Sequence, residues 1–511
     1  MALANRSPGC LHHQVRARTV DVRFPFRVGN ERLGGYRRKR DFERTTEPAG
    51  EDDAGAGGRF VVQEHHARRL HWDLRLERDG VLVSWALPRG IPPDPGENRL
   101  AVHTEDHPLE YLDFEGTIPK GEYGAGEMRV WDRGTYETEK FEPAKVVLTF
   151  HGERVRGRYA LFRTKDDNWM IHRMDPAEPG REAMPEHVEP MKATLSTLPA
   201  DEEAYGYEIK WDGVRAIAYC SAGRVRLESR NLREIGDQYP EVRQLGRQLG
   251  ARELILDGEL VAIDDDGRPS FQRLQRRMHL TAESVIRRRA REIPVTYMAF
   301  DLLYLDGRST MALPYEERRA LLEQLELAGP HWQTPSYHRG EGRAVLAASR
   351  ERRLEGIVAK RLDSQYMPGR RSGAWLKVKN VRSQEIVIGG WVPGEGRRKD
   401  AIGALLAGYF DRQDGDPVLR YAGKVGTGFS DEDLRRLAER LEPLRRPDSP
   451  FTGRQPPRNA IFAEPHLVAE VEFNEWTSAG TLRHPSFKGL RDDKDPAEVV
   501  REEPRAPDAS S

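Results

Sequence analysis

From Arg59 to about Arg173 apolar and polar side chains alternate in short runs: FVVQEHH, LHWDLRLE, VLVSWAL, LAVHTED, GEMRVWD, KVVLTFHG, GRYALFRT and NWMIHRM. Gly, Pro and Asp turns separate them. Alternation with period two marks a strand with one face in a core, and strands this closely spaced predict a small all-β barrel or sandwich. From about Pro190 to Asn380 the periods mix. YGYEIKW, AIAYCSA, VRLESR, ELILDGELVAI, VTYMAFDLLYL, EGIVAKR and WLKVK read as strands, while 238–249, 281–291, 315–327 and 343–353 read as helices. This predicts an α+β unit with antiparallel sheets. Beyond Val381, EIVIGGWV, ALLAGYF, LRYAGKV and HLVAEVEFNEW read as strands around one amphipathic helix, DEDLRRLAERLEPL. There Leu434, Leu437, Leu441 and Leu444 recur at three- and four-residue spacing. Strands of this kind around one helix suit an OB-fold β-barrel, a common nucleic-acid surface.

The chain is therefore multidomain. We divide it into a basic extension over 1–35, expected to be disordered, a β unit over 36–175, a Pro- and Glu-rich linker over 176–189, an α+β unit over 190–380, an OB-like unit over 381–501 and a disordered tail over 502–511. Within the β unit, the acidic, Gly-rich 47–58 reads as a flexible spacer. The length, 511 residues, agrees with several domains at roughly 100–200 residues each.

No run approaches the ~18 apolar residues of a membrane helix, and the N-terminus lacks a hydrophobic signal core. Cys10 and Cys220 are the only cysteines, which excludes a disulfide framework and a Cys-based zinc site. A soluble protein of the reducing cytosol is expected. Net charge is −1 and says nothing about partners, but residues 1–44 carry an excess of basic residues suited to a polyanion.

Lysine is scarce in this chain and arginine abundant, so a lysine marks a place where a primary amine is needed. Lys210 stands in Glu208-Ile209-Lys210-Trp211-Asp212-Gly213-Val214-Arg215, at a strand end beside a tight turn. Alone, such a tetrapeptide is a turn flanked by surface charge. Four ordered pieces follow it: Ser229-Arg230-Asn231, Asp257-Gly258-Glu259, Glu355 to Lys360 and Trp375 to Lys379. Each delivers a cation or carboxylate at the end of an apolar run, as groups converging on one cleft would. That set suits attack of the Lys210 amine on a nucleotide α-phosphate. Neighbouring cations such as Lys377 and Lys379 are expected to lower the amine's pKa and to offset charge on phosphorus. Glu259 and Glu355 are suitable oxygen ligands for Mg²⁺ or Mn²⁺.

In the β unit, His71, Asp73 and Arg75 share one strand face while Leu70, Trp72, Leu74 and Leu76 share the other. His65 on the preceding strand would complete a two-histidine, one-carboxylate metal set, suited to zinc or to Mn²⁺. Arg99, His107 and Tyr111 are candidates for phosphate binding and proton transfer.

With these residues in view, 190–495 resembles an ATP-dependent DNA ligase of the nucleotidyltransferase superfamily, specifically the bacterial end-joining type, ligase D. The resemblance implies that Lys210 is the adenylated lysine. It implies ATP contacts from Glu208, Arg215, Arg230, Glu259, Phe300, Lys377, Lys379, Arg491 and Lys494, the last two in the terminal Arg491-Asp492-Asp493-Lys494 element that orients departing pyrophosphate. Metal ligands there would be Glu259 and Glu355, with Mg²⁺ or Mn²⁺. Residues 36–175 resemble the phosphoesterase module of the same family through YRRKRDF, LHWDLRL, SWALPRG, EDHPLEY and IPKGEYGAG. This implies metal ligation by His65, His71 and Asp73, with Mn²⁺ favoured, catalytic roles for Arg75, Arg99, His107 and Tyr111, and an active-site arm bearing Arg40, Asp41 and Glu47.

The implied activity is 3′-phosphate removal and 3′-ribonucleotide trimming, followed by sealing. The implied partners are nicked or broken DNA and a Ku-like end-binding protein, in a nucleoid-associated, cytoplasmic setting. Fuller members of the family carry a primase-like polymerase domain, for which no residues remain in this sequence, so gap filling would fall to a separate polymerase. Two other readings share some of these features: an RNA ligase or capping-type nucleotidyltransferase, and an end-bridging scaffold with a silent phosphoesterase site.

Overall fold

The computed structural model describes residues 32–50, 57–394, 402–413 and 416–502. The basic extension before Arg32, half of the acidic spacer and the tail after Glu502 lie outside the described residues. The chain divides into two compact units, one of Met1–Leu87 with Glu97–Asp175 and one of Pro88–Gly96 with Pro176–Ser511.

In the first unit, β1 (Arg59–His66), β2 (Leu70–Arg78), β3 (Val81–Leu87), β4 (Asn98–His103), β5 (Gly116–Ile118), β6 (Gly126–Glu142), β7 (Lys145–Gly152), β8 (Arg156–Lys165) and β9 (Asn168–Arg173) form one antiparallel sheet. Its order is β1-β2-β3-β4-β9-β8-β7-β6, and β6 pairs back to β1, which closes a ring of eight strands with β5 on the flank of β6. Closure leaves the ring no free edge. The predicted small barrel is what forms. Phe60 of β1 meets Phe150 of β7 at 4.6 Å between ring centroids although β6 lies between their strands. That face of β1 therefore looks into the barrel.

The opposite face of β1 carries Val61, Gln63 and His65 and looks outward. It is covered by α1 (Gly34–Arg38) and by Leu109–Leu112, which share a core of Tyr36, Val61, Leu82, Tyr111 and Met128. Leu33, inside the 1–35 stretch expected to be disordered, is buried, as is Tyr36 just beyond it. Burying Leu33, which precedes α1, and Tyr36 within it takes apolar surface out of water and favours the docked helix.

Between Lys192 and Lys379 the second unit holds two sheets that face each other. The larger runs Arg224–Ser229, Val214–Ser221, Leu254–Ala262, Val295–Leu305, Trp332–Gln333, Ala328–Gly329. The smaller runs Lys192–Leu195, Arg371–Lys379, Gly356–Arg361, Tyr205–Ile209, His338–Arg339. Alternation assigns their faces. Ala216, Ala218, Leu254 and Leu256 pack under the helices, whereas Ile217, Tyr219, Ile255 and Phe300 pack toward Tyr366 and Trp375. Tyr207, Ile357, Ala359, Leu376 and Val378 turn to the helix Gly342–Glu351. The sheets are not wholly antiparallel as expected. Lys192–Leu195 pairs parallel to Arg371–Lys379, and Trp332–Gln333 parallel to Val295–Leu305. Each short strand is separated along the chain from its parallel partner by a long stretch, 196–370 in one case and 306–331 in the other, which permits parallel pairing. The stretch 238–249, expected as one helix, is two 3₁₀ turns followed by the helix Leu245–Leu249.

C-terminal to Asn380, the strands Ser383–Pro393, Ile402–Gln413, Asp416–Val425, Ile461–Glu472 and Ser486–Leu490 close into a ring. The first pairs the second and fourth, the second pairs the third, and the fourth pairs the fifth. A bridge between Thr427, two residues past the third strand, and Ser486 of the fifth completes the ring. The helix Asp431–Leu441 lies between the third and fourth strands, opened by a Ser430–Asp433 capping box and seated on Leu434, Leu437 and Leu441. Ser486–Leu490 and the short strand Lys192–Leu195 had no clear sequence signal.

Candidate active sites

In the first unit, cross-strand register sets His65 opposite His71 and Gln63 opposite Asp73. Ligand atoms of His65, His71 and Asp73 lie within 4.8 Å of one another. The backbone settles the histidine tautomers. His65 donates its Nε2–H to the Gly124 carbonyl at 2.8 Å, and His71 donates its Nδ1–H to the Arg69 carbonyl at 2.9 Å. In the neutral rings this leaves the Nδ1 lone pair of His65 3.5 Å from one Asp73 oxygen and the Nε2 lone pair of His71 3.7 Å from the other. His65 Nδ1 is buried without a hydrogen-bond donor. Three converging acceptors with outer hydrogen bonds fixing their orientation suit a divalent cation.

Burial would raise the Asp73 carboxyl, but the positive charge of Arg75 leads the opposing effects, and the pKa lies well below the usual range. Arg75, itself buried, bonds Asp73 at 3.1 Å, Ser84 at 3.1 Å and Gln63 at 2.7 Å. Gln63 spends its amide on the carbonyls of Tyr111 and Phe114. Sequence reasoning missed Gln63, although its two-residue offset from His65 put it on the same face.

The arm closes over this row. Arg40 bonds Glu47 at 2.6 Å, Glu105 at 3.0 Å and His107 Nε2 at 3.3 Å. Glu47 also accepts from the Tyr111 hydroxyl and from Thr45. It is buried, which corrects the expectation that a flexible spacer starts at residue 47. His107 donates Nδ1–H to the Glu105 carbonyl. Burial, with Arg75 and Arg40 nearby, holds its pKa well below the ordinary value, so the ring is neutral with Nε2 as acceptor. Burial raises the Tyr111 hydroxyl, which remains a proton donor. Arg99 is buried on β4 with its Nε on Glu97 at 2.7 Å. Asp41 departs from expectation. It is exposed and its carboxylate accepts the Glu43 N–H, ending the turn after α1 instead of entering the cluster. A short side chain competing for nearby backbone N–H groups explains that placement.

In the second unit, alternation points Glu208, Lys210, Lys360, Trp375, Lys377 and Lys379 from the smaller sheet at Arg215, Glu259 and Phe300 of the larger. All nine, with Arg230, Glu355, Arg491 and Lys494, line one pocket. Lys210 N–H bonds the Gly356 carbonyl at 2.9 Å, which seats the lysine beside Glu355, and its Nζ pairs with that carboxylate. Burial disfavours the Lys210 charge, but Glu355 and Glu470 outweigh burial and Lys379, so its pKa is raised. The expected lowering by neighbouring cations is therefore corrected. In this state the carboxylates dominate.

Arg215 meets Asp257 through two bonds of 2.6 Å and lies 4.7 Å from the Phe300 ring. Asp257 also accepts the Tyr366 hydroxyl. Glu208 is buried under Lys360 at 3.0 Å and the Tyr315 hydroxyl. Lys379 bonds Ser383 Oγ at 2.7 Å and lies 3.6 Å from Glu355. Glu355 Oε1 is buried without a hydrogen bond, and burial pushes Glu259 up to about 7. These under-satisfied carboxylates fit a hard cation. From the C-terminal ring, Arg491 bonds Asp493 and Glu470, and Lys494 bonds Glu385 at 2.8 Å. Asp492 turns away to Arg440 and His279.

Sequence reasoning missed the acidic lining. Glu498 pairs with Arg230 and Lys192, and Glu502 pairs with Lys377. Glu502, placed by expectation in a disordered tail, is instead bonded inside the pocket.

Residues 63–163 match the DNA Ligase D 3′-phosphoesterase domain. Residues 185–379 match the ATP dependent DNA ligase domain, and 398–494 the ATP dependent DNA ligase C terminal region. The chain belongs to the ligase D family. The multifunctional non-homologous end joining protein LigD of Mycobacterium bovis is 46% identical over 482 residues, 92% of this chain and 61% of that protein. LigD of Pseudomonas aeruginosa is 37% identical over 536 residues, 93% of this chain and 62% of that protein. A solved mycobacterial DNA ligase D complexed with ATP and MES is 40% identical, covering 62% of this chain and 98% of that one with a TM-score of 0.47. The chain thus spans about three-fifths of the curated ligase D relatives it matches. Among the described residues no helix is long and apolar enough to cross a membrane.

Proposed function

We propose that this chain seals 5′-phosphate/3′-hydroxyl breaks in DNA through a lysyl-AMP intermediate and prepares 3′ ends by metal-dependent phosphatase and ribonuclease action, in double-strand break repair by end joining. The observation that carries the sealing reading is Lys210 Nζ at a strand end, in a pocket with Phe300 and Arg215 on one wall and Lys377 and Lys379 on the other. Phe300 offers a ring to adenine, Arg215 and Arg230 reach for ribose and phosphate, and Lys377 and Lys379 meet the α-phosphate. Lys210 must leave Glu355 and lose its proton before its lone pair attacks phosphorus. A P–N bond forms, the bond to the bridging oxygen breaks, and pyrophosphate departs under Arg491 and Lys494. AMP then passes to a DNA 5′-phosphate, and a 3′-hydroxyl displaces it. Glu259 and Glu355 would hold Mg²⁺ or Mn²⁺, which supplies positive charge against the phosphates.

Five strands ringed in the order first-second-third-fifth-fourth, with a helix between third and fourth, support reading the C-terminal ring as an OB barrel. Its Lys494 serves nucleotide loading, whereas sealing needs DNA over the same pocket. The ring therefore swings about 380–382, where Asn380 is tied to Ser349 and Leu354 while Val381 is exposed.

In the first unit, His65, His71 and Asp73 would hold the metal, with Mn²⁺ suited to this oxygen- and imidazole-bearing set. Arg75 and Arg40 would hold phosphate oxygens, and neutral His107 with Tyr111 would move the proton. Its product, a 3′-hydroxyl, is the nucleophile that sealing requires. DNA breaks and a Ku-like end-binding protein are the partners this reading implies, in the cytoplasm.

The test incubates the chain with α-labelled ATP and a nicked duplex carrying a 3′-phosphate. A covalent label on the peptide bearing Lys210, with sealing only after phosphate loss, is expected. No label on that peptide defeats the sealing reading.

A further inference from the structure

Among the described residues one aromatic side chain is exposed, Tyr123, at 49% of its surface. It belongs to none of the packed apolar clusters, so no burial of its ring explains a tyrosine there. Its position is nonetheless fixed. The loop between β5 and β6 is braced by Glu122 N–H to Pro119 O at 3.2 Å and Ala125 N–H to Glu122 O at 3.1 Å. The next residue, Gly124, accepts the His65 Nε2–H. At Gly126 the backbone runs so close to His66 and Ala67 that a Cβ would lie 2.7 Å from them, clamping the loop to the end of β1. Glu122 also meets Arg44 of the arm at 3.1 Å. The ring is therefore carried by the loop that orients a candidate metal ligand.

Cations flank it. Lys39 Nζ donates to the Tyr123 hydroxyl at 3.3 Å and lies 4.7 Å from the ring centroid. The Arg40 guanidinium, which also bonds His107, lies 5.4 Å from it. The other tyrosines of the site, Tyr36 and Tyr111, are fully buried and offer no face. An exposed ring beside cations is the way proteins hold an unpaired base irrespective of its identity, by stacking and charge together.

We propose that Tyr123 is the stacking platform for the terminal nucleoside of the 3′ end, placing its 3′-phosphate or 2′-hydroxyl at His65, His71 and Asp73. This deepens the end-processing reading and rests on it. Tyr123 sets affinity for the end and takes no part in bond breaking. Stacking on an aromatic ring contributes about 1–3 kcal/mol per base, so its loss reads as roughly a tenfold rise in KM.

The test uses the full chain with Mn²⁺ and two primer-templates ending in a 3′-phosphate, one on an ordinary nucleotide and one on a tetrahydrofuran residue without a base. With the ordinary end, Tyr123→Ala is expected to raise KM about tenfold with kcat unchanged, and Tyr123→Trp and Tyr123→Phe to restore it. With the baseless end, wild type and Tyr123→Ala should be alike, both matching the alanine variant on the ordinary end. Equal losses on both ends, a fall confined to kcat, or no change on either end overturns the platform. Failure of the wild type to release phosphate from both ends is a separate result, which removes the end-processing reading and the platform with it.

Discussion

Glu502 holds Lys377 through both carboxylate oxygens, at 2.7 and 2.8 Å. Its own segment is anchored in the C-terminal ring, where Phe410 N–H bonds Val499 O and Gln384 bonds both Val500 O and Glu502 N–H. A carboxylate thus stands where the proposed reaction puts an α-phosphate, and ATP must displace it. Charge-assisted bonds of this kind are worth about 1.5–3 kcal/mol, so Glu502→Gln is expected to lower KM for ATP in self-adenylylation by about tenfold. An unchanged or higher KM would mean that Glu502 does not compete with the nucleotide.

The same pair predicts a pH effect. Burial lowers the Lys377 ammonium to about 8 even though Glu502 supports its charge. As pH rises through 8 the free enzyme loses this cation, and ATP binding weakens by at most about tenfold per pH unit. Titrating ATP into the Lys210→Ala variant between pH 7 and 9 isolates binding from chemistry. Removing Glu502 removes a support for the charge, so Glu502→Gln should move the weakening to lower pH.

Lys494 reaches the pocket from the C-terminal ring and rests on Glu385. In the proposed reaction its role belongs to nucleotide loading. Lys494→Ala should slow self-adenylylation by about a hundredfold, the scale of losing one preorganised charge partner. A nick already carrying AMP should still be sealed. Loss of sealing with loading intact would contradict the swinging motion.

The two sites are chemically separate. Lys210→Ala is expected to abolish sealing and leave 3′-phosphate release intact, and His71→Ala to abolish 3′-phosphate release and leave sealing of an end that already carries a 3′-hydroxyl intact. Each activity is read on its own substrate. Equal damage to both activities by both substitutions would refute the two-site arrangement.

Asp257 is fully buried and takes two bonds from Arg215 and one from Tyr366. Asp257→Ala leaves a guanidinium without its partner between two sheets. A loss of about 3–5 kcal/mol in denaturant unfolding is expected. Asp257→Asn, which keeps the shape and an acceptor, should lose less.

Much of this was legible along the chain. Period two in LHWDLRLE placed His71, Asp73 and Arg75 on one face, and the structure keeps them there. The runs around Lys210, Glu259, Phe300, Lys377 and Lys379 ended where their charges could converge, and they line one pocket. Backbone alternation is a local property, set by each residue's own geometry and its immediate neighbours, so a sequence carries it openly.

What only the tertiary structure decided depends on sums through space. The charge on Lys210 follows Glu355 and Glu470, one at a strand entrance and one in another ring of strands. The tautomers of His65 and His71 follow carbonyls of Gly124 and Arg69, and carbonyls are common to every residue. Glu498 and Glu502 reach Arg230 and Lys377 because the last segment folds back along the C-terminal ring. Such energies depend on separation in three dimensions and on exclusion of water, and neither quantity is written in the order of residues.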